Sequence, residues 1–133
     1  MPCERPPLPV RVLAGLLVAW VPASLALEAS AALPRLVGYG WPAALLLGAR
    51  AFVAGLAFLA GRALWAVEPY GRRLAQAWLV LDVVATWLVL TTPYFPGNWL
   101  PGTRWRALAG AAAFNLAWLL YLARSRRVRE CWP

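Results

Sequence analysis

A few polar side chains inside long apolar stretches are the residues of this chain with the potential for chemistry. Arg62, Asp82 and Asn115 fall in three different apolar stretches. Glu28 and Arg50 fall near the ends of two such stretches. An ionisable side chain surrounded by hydrocarbon is costly, so it is usually paired with another polar group or lines a cavity. Residues of these types suit ion pairing between helices, ion binding or proton relay.

The rest of the sequence excludes several kinds of active site. The chain has no histidine, the commonest general base and zinc ligand and the usual haem ligand. It has no glycine-rich phosphate loop, and Cys3 and Cys131 are not part of a Cys-x-x-Cys pair. Glu28 and Asp82 are the only acids inside the apolar stretches, and we expect them at opposite membrane depths, too far apart for a catalytic pair. We therefore predict no enzyme activity, no catalytic residue, no metal site and no cofactor.

Four apolar stretches must position the polar side chains. They cover residues 12–33, 43–67, 74–92 and 107–123, and residues 124–133 form a basic tail. The chain is 62% hydrophobic and 14% charged, against ~45–50% apolar and ~25% charged in soluble domains. About 20 helical residues, rising ~1.5 Å each, cross a ~30 Å hydrocarbon core. The sequence therefore predicts an all-α, integral membrane, antiparallel four-helix bundle as a single domain, with a soluble helical bundle as the alternative.

Three connections separate the predicted helices. Residues 34–42 combine Gly, Pro and aromatic residues, which is typical of a turn at a membrane interface. Residues 68–73 form a predicted tight turn, because Pro69 ends the second helix. Residues 93–106 form a predicted outer loop with aromatic residues at headgroup level.

The distribution of arginine predicts the orientation of the chain. All 13 basic residues are arginine, and nine of them fall on the side of the two termini against four on the other side. The positive-inside rule then places both termini in the cytoplasm. The arginines that give the chain its net charge of +8 flank the apolar stretches. We therefore expect their partners to be anionic lipid headgroups rather than nucleic acid. The predicted headgroup contacts are Arg72, Arg73, Arg124, Arg126, Arg127 and Arg129. Cytoplasmic thiols stay reduced, so we expect no disulfide between Cys3 and Cys131.

A cleaved signal peptide is the alternative interpretation of the N-terminal region. Arg5 and Arg11 precede an apolar run that contains Pro22 and is followed by small residues, as in a secretory signal. The apolar character continues to Leu33, which is longer than the ~7–15 residues of a signal-peptide core. Both alternatives remain open, and retention of the segment as the first membrane span is favoured.

The membrane depth of each polar side chain follows from its distance in residues from the predicted span end. These depths place the polar side chains in two groups. Asp82, Asn115 and Arg62 lie ~12, ~13 and ~8 Å from the cytoplasmic ends at ~1.5 Å per residue, which predicts one polar cluster. Gly48 and Gly55 repeat at seven-residue spacing with Arg62, which predicts that this face of the second helix points inward. On the outer side, Glu28 and Arg50 form a second predicted pair. Such groups more often fix helix register than carry ions.

Two segments of the second half resemble a group of known proteins. They are Arg62-Ala-Leu-Trp-Ala-Val-Glu-Pro-Tyr-Gly-Arg-Arg-Leu-Ala and Asn115-Leu-Ala-Trp-Leu-Leu-Tyr-Leu-Ala-Arg-Ser-Arg-Arg-Val-Arg. They resemble small uncharacterised four-span bacterial membrane proteins with an Arg-rich cytoplasmic C-terminal tail. The resemblance implies four helices in a bacterial inner membrane and implies no activity.

The sequence thus favours a non-catalytic structural or accessory component that packs with other membrane subunits or with itself. Small-residue helix faces and the lack of reactive groups indicate this role. The alternative is a small oligomeric transporter or channel-like module that uses Asp82, Arg62 and Asn115 as its polar site. Four helices are few for a transporter, so the alternative requires oligomerisation.

Overall fold

The computed structural model describes residues 3–92 and 102–133, and all regular secondary structure in those ranges is helical. The helices are α1 (Leu8–Gly15), α2 (Val21–Tyr39), α3 (Trp41–Trp65), α4 (Gly71–Thr91), α5 (Thr103–Arg124) and α6 (Arg126–Cys131). A π-helical turn, Leu16–Trp20, joins α1 to α2 without a break. The predicted all-α fold with four long apolar helices packed together is confirmed.

Within residues 3–92 and 102–133, four helical segments are long and apolar enough to cross a membrane. We name them spans 1 to 4, and they cover Leu8–Tyr39, Trp41–Trp65, Gly71–Thr91 and Thr103–Arg124. These properties are those of a multi-pass membrane protein. Most of the predicted outer loop at residues 93–106 lies outside the described residues.

The first connection is much shorter than the predicted turn at residues 34–42. The helix of span 1 continues through Pro34 to Tyr39, and the chain reverses at Gly40, which has φ 74° and ψ −156°. A proline lacks an N–H donor but is tolerated in membrane helices, where other groups satisfy the freed carbonyl. Glycine has no Cβ and adopts a positive φ without strain, so the reversal falls on Gly40 rather than on the proline.

The second connection is the tight turn that the sequence predicts, although α3 ends at Trp65, earlier than expected. Val67 takes a left-handed conformation with φ 55°. The N–H of Glu68 then donates to the carbonyl of Ala63 at 2.9 Å, which closes the end of the helix. Gly71 starts α4 so close to α3 that a Cβ there would lie 2.9 Å from the Ala63 carbonyl oxygen. The turn therefore fixes the register between spans 2 and 3.

The four spans pack in chain order as an open row. Span 1 packs on span 2, span 2 on span 3 and span 3 on span 4, and within the described residues the backbones of spans 1 and 4 do not approach each other. The main apolar core lies toward the termini and includes Leu13, Leu17, Leu64, Leu79 and Leu122. The opposite half of the row has smaller buried side chains, Ala32, Ala43 and Ala85 among them.

The small-residue face of span 2 is not the predicted one. Gly48, Gly55 and Arg62 are all exposed, and a Cβ at either glycine would meet no atom within 4 Å. The close approach occurs at Gly61, where a Cβ would lie 2.8 Å from the carbonyl oxygen of Ala14 in span 1. The prediction that Arg62 faces inward is therefore wrong, since seven-residue spacing identifies a shared face without showing which way it points.

The tail folds back onto the turn between spans 2 and 3. Trp132 is 2% exposed, and its indole N–H donates to the carbonyl of Glu68 at 2.7 Å. Arg72 donates to the carbonyl of Trp132 at 3.2 Å. A disulfide joins Cys3 to Cys131, with the two Cα atoms 4.9 Å apart. The expectation of no disulfide is wrong here: it considered the redox compartment alone, while an even number of spans brings both termini to one end of the row.

Candidate functional site

One polar side chain from each span contributes to a network that crosses the whole row. We call Glu28 of α2, Arg50 of α3, Asp82 of α4 and Asn115 of α5 the polar network. Arg50 and Glu28 form a two-pronged ion pair, in which Nε donates to Oε2 at 3.1 Å and Nη2 donates to Oε1 at 2.9 Å. This paired geometry is the strong form of an arginine–carboxylate contact. The structure thus brings together the predicted outer-side pair.

Asp82 connects that ion pair to span 4. Its Oδ1 lies 3.7 Å from Nη1 of Arg50. Its Oδ2 accepts a hydrogen bond of 2.9 Å from Nδ2 of Asn115. A single guanidinium therefore contacts both Glu28 and Asp82, and the expectation that these acids lie at opposite depths is wrong.

Arg62 lies outside the polar network, contrary to the predicted cluster of Arg62, Asp82 and Asn115. The contact between Gly71 and Ala63 places Arg62 level with the start of α4. Asp82 lies three helical turns beyond Gly71, about 17 Å deeper at ~1.5 Å per residue. Arg50 precedes Arg62 by a similar length of helix in the antiparallel span, so Arg50 is the arginine that reaches Asp82.

The polar network is only partly covered by the protein. Asn115 is 1% exposed, whereas the side chains of Arg50, Asp82 and Glu28 are 15%, 21% and 32% exposed. Oδ1 of Asn115 is buried and has no hydrogen-bond partner. An unpaired buried acceptor of this kind costs ~1–3 kcal/mol. With both carboxylates ionised, the network carries two negative charges and one positive charge.

An apolar layer separates the polar network from the end of the row that holds the termini. Trp78 is 4% exposed and lies one helical turn before Asp82 on α4. Its indole N–H donates to the carbonyl of Val53 at 3.0 Å. This bond joins span 3 to span 2 on the side of the ion pair that faces the termini. Sequence reasoning gave Trp78 no role, since nothing in its spacing distinguishes it from the other eight tryptophans.

No protein-family model, curated protein or solved structure matches the chain. Within residues 3–92 and 102–133, no group of three His, Cys, Asp or Glu side chains is arranged to hold a metal ion.

The arginines predicted to contact lipid headgroups fall into two kinds. Arg72 is partly buried, and it donates to the carbonyls of Trp132 and Ala123 at 3.2 and 3.5 Å. Its role is therefore to hold the tail against α4. The other five are exposed at the same end of the row, namely Arg73, Arg124, Arg126, Arg127 and Arg129.

Proposed function

We propose that the chain is a non-catalytic, multi-pass membrane subunit whose polar network is covered by a neighbouring membrane helix. The observation that carries this proposal is the partial exposure of Glu28 and Asp82 in the middle of apolar spans. A carboxylate facing hydrocarbon is costly, so a packed partner that excludes lipid from it stabilises the protein. The open row supports the same role, because span 4 packs on span 3 and leaves most of its own surface uncovered.

The covering helix belongs either to a different subunit or to a second copy of the chain. Extraction in a mild detergent followed by native mass spectrometry tests this directly. We expect a complex or a homo-oligomer for the wild type, and a shift toward the monomer for Asp82→Asn. Arg73→Gln is the matched control, because it removes an exposed charge far from the network and should leave the complex intact. A wild type that is purely monomeric, with no bound partner, would contradict the proposal.

A transport function is the second candidate, and the unpaired Oδ1 of Asn115 beside Asp82 favours it. A buried acceptor next to an acidic side chain, in a network with two carboxyl groups and one guanidinium, has the chemistry to bind a small cation. In this version Arg50 takes the place that sequence analysis gave to Arg62. Asp82→Asn should then abolish cation flux in reconstituted vesicles, and unchanged flux would eliminate this function.

We further propose a bacterial inner membrane location with both termini in the cytoplasm. The nine arginines on the terminal side support this orientation. The Cys3–Cys131 disulfide argues against it, because persistent disulfides are rare in the reducing cytoplasm.

Labelling of introduced cysteines tests the orientation. In a Cys3→Ser, Cys131→Ser background, Arg127→Cys and Arg104→Cys each place one exposed thiol at opposite ends of the row. We expect a membrane-impermeant maleimide to label intact cells only at position 104. Labelling only at position 127 would show that the orientation is the opposite one and that the disulfide lies in an oxidising compartment.

A further inference from the structure

Arg62 lines an apolar groove between spans 1 and 2 with the hydrocarbon part of its side chain. The groove has a volume of about 420 Å³, and it is lined by Gly15, Val18, Phe58 and Trp65 together with small alanines. No carboxylate oxygen within the described residues lies within 4.0 Å of the Arg62 guanidinium, and no hydrogen bond to a described residue satisfies it. An arginine presents five N–H donors, and those of the exposed Arg62 have no acceptor among the described residues, so an external anion can accept from them.

A second arginine lies beside Trp65, one of the residues that line the groove. The guanidinium carbon of Arg11 lies 5.6 Å from the ring centroid of Trp65, which is the last residue of α3. Stacking on an aromatic face leaves the positive charge of Arg11 available to an anion. Arg62 is one helical turn before Trp65, so both cations lie near the end of span 2, at the level expected for lipid headgroups.

The wall of the groove is unusual on the span 1 side. The π-helical turn Leu16–Trp20 supplies Val18 and Ala19, and Gly15 immediately precedes it. Single π-helical turns inside α-helices are rare and frequently occur at functional sites. A Cβ at Gly15 would meet no atom within 4 Å, so the groove is open beside this residue.

We propose that this groove binds one membrane phospholipid, with its phosphate on Arg62 and Arg11 and one acyl chain along the apolar wall. Charge complementarity selects an anionic group at one end, and the apolar lining selects hydrocarbon along the rest. A partner helix fits less well. A helix ~10 Å across fills roughly 400 Å³ in a single turn, so the groove holds little more than one turn.

The test is a titration of the full-length protein in detergent with phosphatidylglycerol, with bound lipid counted by native mass spectrometry. We expect one lipid to be retained by the wild type and retention to fall about tenfold or more in Arg62→Gln, which corresponds to ~1.4 kcal/mol or more. Arg73→Gln is the matched control, because Arg73 is exposed at the same end of the row but does not line the groove. Equal retention by wild type and Arg62→Gln would overturn the proposal, as would equal losses in the two variants.

A second variant tests the acyl chain independently of charge. Gly15→Leu adds a bulky side chain to the groove wall at a position where a Cβ meets no atom within 4 Å, and it should reduce lipid retention while both arginines remain. Diacylglycerol, which lacks the phosphate, should not be retained, and inorganic phosphate should not compete with the lipid. If Gly15→Leu retains lipid as the wild type does, or converts an oligomer to a monomer, the groove is not the lipid site.

Discussion

Arg50 is the residue on which the polar network depends, because its one guanidinium contacts two carboxylates from different spans. Removing one partner from a buried ion pair is far more costly than replacing the whole pair, since it leaves an uncompensated charge. Without it, neither Glu28 nor Asp82 would contact a cation, although Asp82 would keep its hydrogen bond from Asn115. Arg62, by contrast, has no ion pair to lose among the described residues.

The substitution Arg50→Gln should therefore lower the free energy of unfolding by about 3 kcal/mol. Arg62→Gln should change it by less than ~0.5 kcal/mol, as expected for an exposed side chain without a partner. Thermal unfolding in detergent, followed by tryptophan fluorescence, measures both. A larger loss in Arg62→Gln than in Arg50→Gln would contradict the arrangement of the network.

Much of the polar network was predictable from residue type alone, since polar side chains inside apolar spans seek one another. Glu28 with Arg50, and Asp82 with Asn115, are brought together as expected. The prediction of Arg62 as the third member is wrong because the sequence places the span ends, and therefore the depth of each residue, only approximately. The start of α4 at Gly71, three residues before the predicted start, puts Asp82 deeper than the count allowed.

At the scale of helices, the junction between spans 1 and 2 depends on the absence of a side chain at Gly61. A Cβ there would lie 2.8 Å from a backbone carbonyl oxygen of Ala14 and 2.9 Å from Cβ of Leu17. Neither atom is at the free end of a flexible side chain, so the helices would have to move apart. Gly55, on the same helix, offers a matched comparison because its surroundings are open.

Gly61→Ala should destabilise the protein by about 1–3 kcal/mol, the usual cost of overpacking. Gly55→Ala should be neutral or should stabilise it by up to ~1 kcal/mol, because alanine is the better helix former. Thermal unfolding of the two variants in one detergent gives the comparison. Equal effects would mean that spans 1 and 2 do not approach most closely at Gly61.

The sequence predicts the existence of the four helices better than their ends. Runs of apolar residues identify each span, since only a helix satisfies its own backbone in hydrocarbon. Proline was a poor guide to the first connection, because the helix continues through Pro34 as far as Tyr39. In water, proline commonly ends a helix. In a membrane, breaking the helix would cost more free energy than having another donor bond the one carbonyl that proline leaves without its N–H partner.

At the scale of the whole molecule, the disulfide fastens the tail to the N-terminal segment. It joins residues 128 positions apart and adds to the contacts of Val128 and Trp132 with the core. Among the described helices, span 4 packs on span 3 and α6 only, so the fastened tail is its second attachment to the rest of the row.

Protein purified without reductant should therefore have an intact mass lower by two hydrogen atoms than the reduced form. In Cys131→Ser, trypsin should cleave after Arg126, Arg127 and Arg129 several-fold faster than in the oxidised wild type, because α6 is then held by noncovalent contacts alone. Cleavage after Arg104, at the opposite end of the row, is the internal control. Equal tail cleavage in the two proteins would show that the disulfide does not hold α6.

The proximity of Cys3 and Cys131 also has a consequence for protein engineering. Since the Cα atoms of Cys3 and Cys131 lie 4.9 Å apart, a short peptide could join the segments that hold them, and new ends could be opened between spans 3 and 4. Such a circular permutant would begin with Thr103–Arg124 and finish with Gly71–Thr91 while preserving every neighbour in the row. Its successful insertion would show that helix adjacency, rather than the order of synthesis, specifies this fold.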